Sequence, residues 1–81
     1  MENVRRYNQI FMENFDIQDE SVLAENPTVL TLEGWDSIAQ MNLISRLEES
    51  FEIMLDPEDI VELNSYQKGL EILSRYGVPV V

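Results

Sequence analysis

The chain has 81 residues with no cysteine and no histidine, and sixteen acidic side chains oppose five basic ones for a net charge of −11. That length makes a single domain over residues 1–81, burying roughly 60–65% of its unfolded surface, and the missing side chains exclude disulfide frameworks, thiolate metal sites and the common nucleophile–base pairs. Nucleic acid and anionic membranes would be repelled by such charge, which favours solubility and steered encounter with basic proteins alike.

No apolar run approaches the length of a membrane span, and Met1-Glu2-Asn3-Val4-Arg5-Arg6 lacks the apolar centre of a signal peptide. A cytoplasmic, monomeric protein is the expectation. Residues from about Glu2 to Phe15 read as a first helix, because Val4, Tyr7, Phe11 and Phe15 recur at three- and four-residue steps, with Ile10 and Met12 widening the stripe. Arg5 and Arg6 stand at its N-terminal end, where the helix dipole disfavours cations, and contact with acidic residues elsewhere would offset this.

From Asp16 to Trp35 the chain is rich in breakers and turn formers, among them Asp19, Asn26, Pro27 and Gly34. This is a long connection, with Ile17, Val22, Leu23, Val29, Leu30 and Leu32 available to pin it across the helices. Val29-Leu30-Thr31-Leu32 has strand propensity, but no second strand is in sight to pair with it.

Gly34 ends the connection, and Asp36 can accept hydrogen bonds from free N–H groups at a helix start. Met41, Ile44, Leu47 and Phe51 then recur as on a helix burying one face, with Leu43 beside them. Ser37 therefore falls in the first turn, at the positive end of the helix dipole. A phosphate attached to its hydroxyl would be stabilised there. The plainer role is a serine assisting Asp36 as a cap. Trp35 is expected to pack over the loop, and Ile38 is either ordinary core or an exposed apolar contact.

Past Phe51, Asp56-Pro57-Glu58-Asp59 signals another helix start, with Asp56 as cap and Pro57 at the first helical position. The short helix ends near Leu63. Asn64-Ser65-Tyr66-Gln67 resembles a capping box with Asn64 as the cap. A last helix runs to about Tyr76, burying Leu70, Leu73 and either Ile72 or Tyr76, until Gly77 and Pro79 stop it. Gly69 within it costs roughly 1 kcal/mol relative to Ala, and its small size would let two helices approach closely. The coarse reading is all-α: four helices, the third one short, with a long loop between the first and second.

The stretch Gly34-Trp35-Asp36-Ser37-Ile38 resembles the acyl and peptidyl carrier protein family, whose hallmark is Asp-Ser-Leu opening a helix. Leu43, Ile44, Leu47, Glu48, Glu49 and Phe51 stand where that family has core and acidic positions, and matching spacing extends from about Leu30 to Tyr76. The resemblance implies a small four-helix bundle of acyl-carrier-protein type, for which the long loop is usual. It implies 4′-phosphopantetheine on Ser37, with cargo held as a thioester on the terminal thiol. Asp36 would orient the helix start and help a phosphopantetheinyl transferase and its magnesium engage the site.

By the same resemblance Ile38, Glu48, Glu49, Glu52, Glu58, Asp59 and Glu62 would meet partners. Those partners would be an acyl- or aminoacyl-activating enzyme and an acyltransferase or synthase with basic docking surfaces. Each acid taken singly reads as part of a solvated face. Carriers of fatty-acid synthesis are acidic early in the second helix, where this chain has Ala39 and Asn42, and Arg46 adds a cation. The resemblance therefore points to a discrete carrier of a specialised pathway: polysaccharide, aminoacyl or secondary-metabolite assembly. A cargo chain would enter between the second and third helices near Met41, Met54, Leu55 and Ile60; plain gap-filling core is the alternative for these residues and for Met12.

Two rivals stand beside this reading: an unmodified acidic helical module that docks a basic surface, and, more remotely, a carboxylate-based enzyme. Paired carboxylates need a cleft with distinct environments to act as acid and base, which so small a core hardly encloses. Asp56-Pro57-Glu58-Asp59 lacks the alternating ligands and central glycine of a calcium loop. Neither catalysis nor a dedicated metal site is expected.

Overall fold

The computed structural model describes residues 2–80. Among them are four α-helices, α1 (Glu2–Phe15), α2 (Ser37–Phe51), α3 (Pro57–Glu62) and α4 (Tyr66–Arg75), and no strand. The all-α bundle, the long connection and the short third helix agree with the sequence reading. The α1–α2 connection is more ordered than expected, because Glu20–Glu25 forms a 3₁₀-helix whose start is capped by Asp19 accepting the Ser21 N–H. Its other end turns at Asn26, which adopts a left-handed conformation (φ 52°).

Tyr7 and Phe11 of α1 are fully buried and form the centre of the core with Leu43, Ile44 and Leu47 of α2 and Ile72 and Leu73 of α4. The aromatic rings extend from there in a chain: Tyr66 lies 5.3 Å from Tyr7 and 5.5 Å from Phe11, and Trp35 lies 5.6 Å from Phe11 and 4.8 Å from Phe15. These separations are within the range at which aromatic pairs attract. Both α1 and α2 end in the same way, with the N–H two residues past the helix bonded five residues back: Ile17 to Met12 and Ile53 to Glu48. The intervening residues, Asp16 and Glu52, take the left-handed conformation this ending requires (φ 55° at each). Arg6, at the end of α1 that disfavours cations, donates to the Ser50 carbonyl at 3.1 Å and lies over the Phe51 ring. It thereby exchanges the positive end of one helix for the negative end of another.

Several expected core residues lie outside the core. Leu30 is 92% exposed and Val29 is also exposed, because Thr28 ties the chain into a tight turn. The Thr28 hydroxyl accepts from Leu30, and its carbonyl from Thr31 and Leu32. That leaves Ile17, Leu23 and Leu32 as the residues that pin the connection. Met54 is 82% exposed, on the irregular link between α2 and α3 in which Leu55 is the buried residue. Met41 is more than half exposed, since it lies on the Ile38 edge of α2 rather than on the Leu43–Leu47 face.

Two caps also differ from expectation. Ser65, not Asn64, caps α4, its hydroxyl accepting the Lys68 N–H at 3.0 Å. The Asn64 carbonyl instead receives the Val29 N–H, beside an isolated bridge between Thr28 and Ser65. Asp56 precedes α3 in extended conformation but makes no side-chain cap. In α4, Ile72 and Leu73 are buried, and Leu70 and Tyr76 only pack against the core edge.

Candidate functional site

Asp36 caps α2, its side chain accepting the Ala39 N–H at 2.8 Å while its carbonyl receives the first intrahelical bond from Gln40. Neither bond uses the N–H groups of Ser37 or Ile38, the first two helical residues. Ser37 is exposed, and Ile38 beside it is 72% exposed. An exposed hydroxyl thus sits at the positive end of a fifteen-residue helix with no acidic residue in its first turn. This is an environment that favours an attached anion.

The residue before the cap is held from inside. Trp35 is 9% exposed, edge-on to Phe11 and tilted against Phe15, so it packs onto α1 as well as closing the loop. Its indole N–H donates to Gln40, and the Gln40 amide donates to the carbonyls of Ile60 (2.7 Å) and Leu63 (3.0 Å) at the end of α3. Beside this network a groove of about 490 Å³ opens along Trp35, Asp36, Ser37, Val61 and Asn64. Sequence reasoning passed over Gln40, because its partners are backbone carbonyls twenty and twenty-three residues away.

The acidic residues separate into two groups. Glu49, Glu52, Glu58 and Glu62 are exposed, although Glu62 also meets Arg75 at 3.2 Å. Glu48 is half-buried and turned inward, accepting the Leu55 N–H at 2.9 Å and fixing the link into α3. Asp59 is buried: it accepts the Tyr76 hydroxyl and pairs with Arg75 at 3.2 Å. The same Tyr76 oxygen accepts the Asp56 N–H, so α3 is moored to the end of α4 by polar contacts. The hydrogen bond to Asp59 is the chief cause that raises the Tyr76 hydroxyl above its ordinary range. Arg46, the cation noted on α2, lies 3.7 Å from Glu13 of α1. Among the described residues no group of three or more carboxylates is placed to hold a metal ion, and no helix is long and apolar enough to cross a membrane.

A small helical bundle presenting one hydroxyl at a capped helix start, beside an open groove, has the form of a protein that carries a covalently attached group. Comparison with known proteins agrees. The family described as phosphopantetheine attachment site matches residues 9–68. Two proteins named acyl carrier protein, from strains APS and 5A of Buchnera aphidicola subsp. Acyrthosiphon pisum, are 30% and 31% identical over 76 residues, covering 93% of this chain and 94% of each relative. The chain belongs to the phosphopantetheine attachment site family, among the acyl carrier proteins. Its cofactor is accordingly a covalently attached 4′-phosphopantetheine, and the protein is a non-catalytic carrier. The residues fit that group: the exposed Ser37 hydroxyl offers an attachment atom, the start of α2 suits a phosphodiester, and an open groove lies beside it.

Proposed function

We propose that Ser37 carries the 4′-phosphopantetheine and that the protein, one carrier domain over residues 1–81, presents acyl or aminoacyl cargo to successive enzymes. When bound, the arm supplies a terminal thiol on which cargo is held as a thioester. The observation that carries this reading is the exposure of Ser37 at the first position of α2 with Asp36 capping the helix behind it. Asp36 holds the helix start in register for a phosphopantetheinyl transferase. Ile38 offers that enzyme and later ones an apolar contact next to the attachment atom. Glu49, Glu52, Glu58 and Glu62 offer weak, screened contacts to basic surfaces on an acyl- or aminoacyl-activating enzyme and on an acyltransferase or synthase. Glu48 and Asp59 support that surface from within by fixing α3.

The uncharged start of α2, with Ala39 and Asn42, supports a specialised pathway such as polysaccharide, aminoacyl or secondary-metabolite assembly rather than fatty-acid synthesis. A monomer acting in the cytoplasm fits this role. The test is incubation with coenzyme A and a broad-specificity phosphopantetheinyl transferase, followed by intact mass beside Ser37→Ala. A mass gain of one phosphopantetheine that vanishes in Ser37→Ala is expected. No gain with several transferases would return the protein to the role of an unmodified acidic docking module, and a gain that persists in Ser37→Ala would move the attachment elsewhere.

A further inference from the structure

Gln40 follows Ser37 by three residues on α2 and lines the groove beside it together with Ile60, Val61 and Leu63 of the α3 segment. Its amide is engaged on both sides. The oxygen accepts the Trp35 indole N–H, and the nitrogen donates to the carbonyls of Ile60 and Leu63. Those carbonyls belong to the last turn and cap of α3, where a helix has no N–H of its own to offer. One side chain therefore joins the loop before Ser37, the helix that begins with Ser37, and the end of α3. Behind it the interior is occupied, since Leu43, Leu47 and Leu63 are all less than 2% exposed. Outside it lies the groove that runs past Ser37.

We propose that Gln40 selects the class of cargo: by stapling α2 to α3 it shuts the interior and leaves cargo in the outer groove, whose volume of about 490 Å³ suits short acyl and aminoacyl groups. The inference rests on Ser37 being the attachment point. A long aliphatic chain could enter the interior only by breaking these hydrogen bonds, leaving the Trp35 N–H and two helix-end carbonyls unpaired against apolar surface. Burying such groups without partners is unfavourable. A short group gains little from entry and is as well served in the groove, where Val61 and Ile60 offer apolar contact. Met41 and Met54, which would have lined an inner path, face solvent instead.

The test loads the protein from acetyl- and octanoyl-coenzyme A arms with a phosphopantetheinyl transferase and compares melting temperatures and backbone amide shifts in the unmutated chain and in Gln40→Met. In the unmutated protein the two loaded forms should melt within about 2 °C, and the amides of Leu43, Leu47 and Leu63 should not respond to chain length. In Gln40→Met the octanoyl form should melt at least about 5 °C above the acetyl form, because a few buried methylenes suffice for such a shift in a domain of this size. An octanoyl-dependent rise in the unmutated protein overturns the proposal. So does a Gln40→Met variant whose two loaded forms fall equally, the mark of a residue that only caps α3. Should Gln40→Met not fold, Gln40→Glu, which retains the acceptor for Trp35 but lacks the amide donors, is read by the same criterion. Intact mass is recorded first: absence of loading overturns the assignment of Ser37 itself and this inference with it, whereas failure after loading overturns the staple alone.

Discussion

Gly69 of α4 and Tyr7 of α1 divide a space that holds only one of them fully: a Cβ at position 69 would collide with the Tyr7 hydroxyl and crowd the ring behind it. Tyr7 is fully buried and donates to the Tyr66 carbonyl at 2.7 Å, so it has no free direction in which to retreat. Replacing glycine by alanine in a helix is ordinarily worth about 1 kcal/mol in favour of the folded state. Here overpacking should win, and Gly69→Ala should destabilise by about 1–3 kcal/mol in urea unfolding. In a Tyr7→Phe background the same change should cost less, because the colliding oxygen is gone. Equal costs in the two backgrounds would show that the collision is not the cause.

Asp36→Ala should cost about 1 kcal/mol, the usual loss for a helix cap, because the Ala39 N–H loses the carboxylate that now accepts it. Asp36→Ser, which preserves an acceptor at that position, should recover most of the loss. Urea midpoints of the three proteins decide the matter, and indistinguishable midpoints would mean that water replaces the cap at no cost.

All three tyrosines hold their protons more tightly in the folded chain than the ordinary value of 10.0 implies: Tyr7 by burial and then the nearby Tyr66, Tyr66 by burial and then the charge of Glu20, and Tyr76 chiefly through Asp59. Above about pH 10 the unfolded chain releases these protons while the folded chain keeps them. The unfolded state then binds fewer protons, so stability falls as pH rises. This contribution should be fully present below pH 10 and decline beyond it, with tyrosinate absorbance growing as helical circular dichroism is lost. Tyr7→Phe should flatten the decline. Full tyrosinate absorbance in a chain that keeps its helices would contradict the burial of Tyr7.

With a net charge of −11 against a few exposed ion pairs, such as Arg46–Glu13 and Lys68–Glu71, self-repulsion should outweigh salt-bridge attraction. Raising sodium chloride from about 0.01 M to about 0.5 M, which contracts the screening length several-fold, should therefore raise the melting temperature. Arg46→Ala should change stability by less than about 0.5 kcal/mol. A melting temperature that falls with salt would mean that the pairs dominate.

What could be seen in the sequence was whatever depends on neighbours along the chain. The Tyr7–Phe11 stripe, the Asp36 cap, the start of α2 and the Pro57 start of α3 all rest on spacings of four residues or fewer, and they stand as expected. Spacing identifies a face but not what covers it, so Met41, expected in the core, lies at its solvent edge. Leu30 and Met54 lie outside the core because of the tight turn at Thr28 and the irregular link before Asp56, of which apolar character says nothing. The choice between Asn64 and Ser65 turned on a one-residue shift that two good capping residues leave open. Gln40, and the Tyr76–Asp59–Arg75 mooring, depend on partners brought together only by the fold. At the candidate site, the exposure of Ser37 and Ile38 beside the Asp36 cap follows from the motif at the helix start, whereas the inward turn of Glu48 and Asp59 does not.

Trp35 is the chain's single tryptophan, buried two residues before Ser37 and hydrogen-bonded to Gln40. The molecule therefore contains its own optical probe. Its indole emission should stay short in wavelength while the start of α2 remains seated and move to the red when that seat opens, so opening of the seat can be followed in real time without a dye.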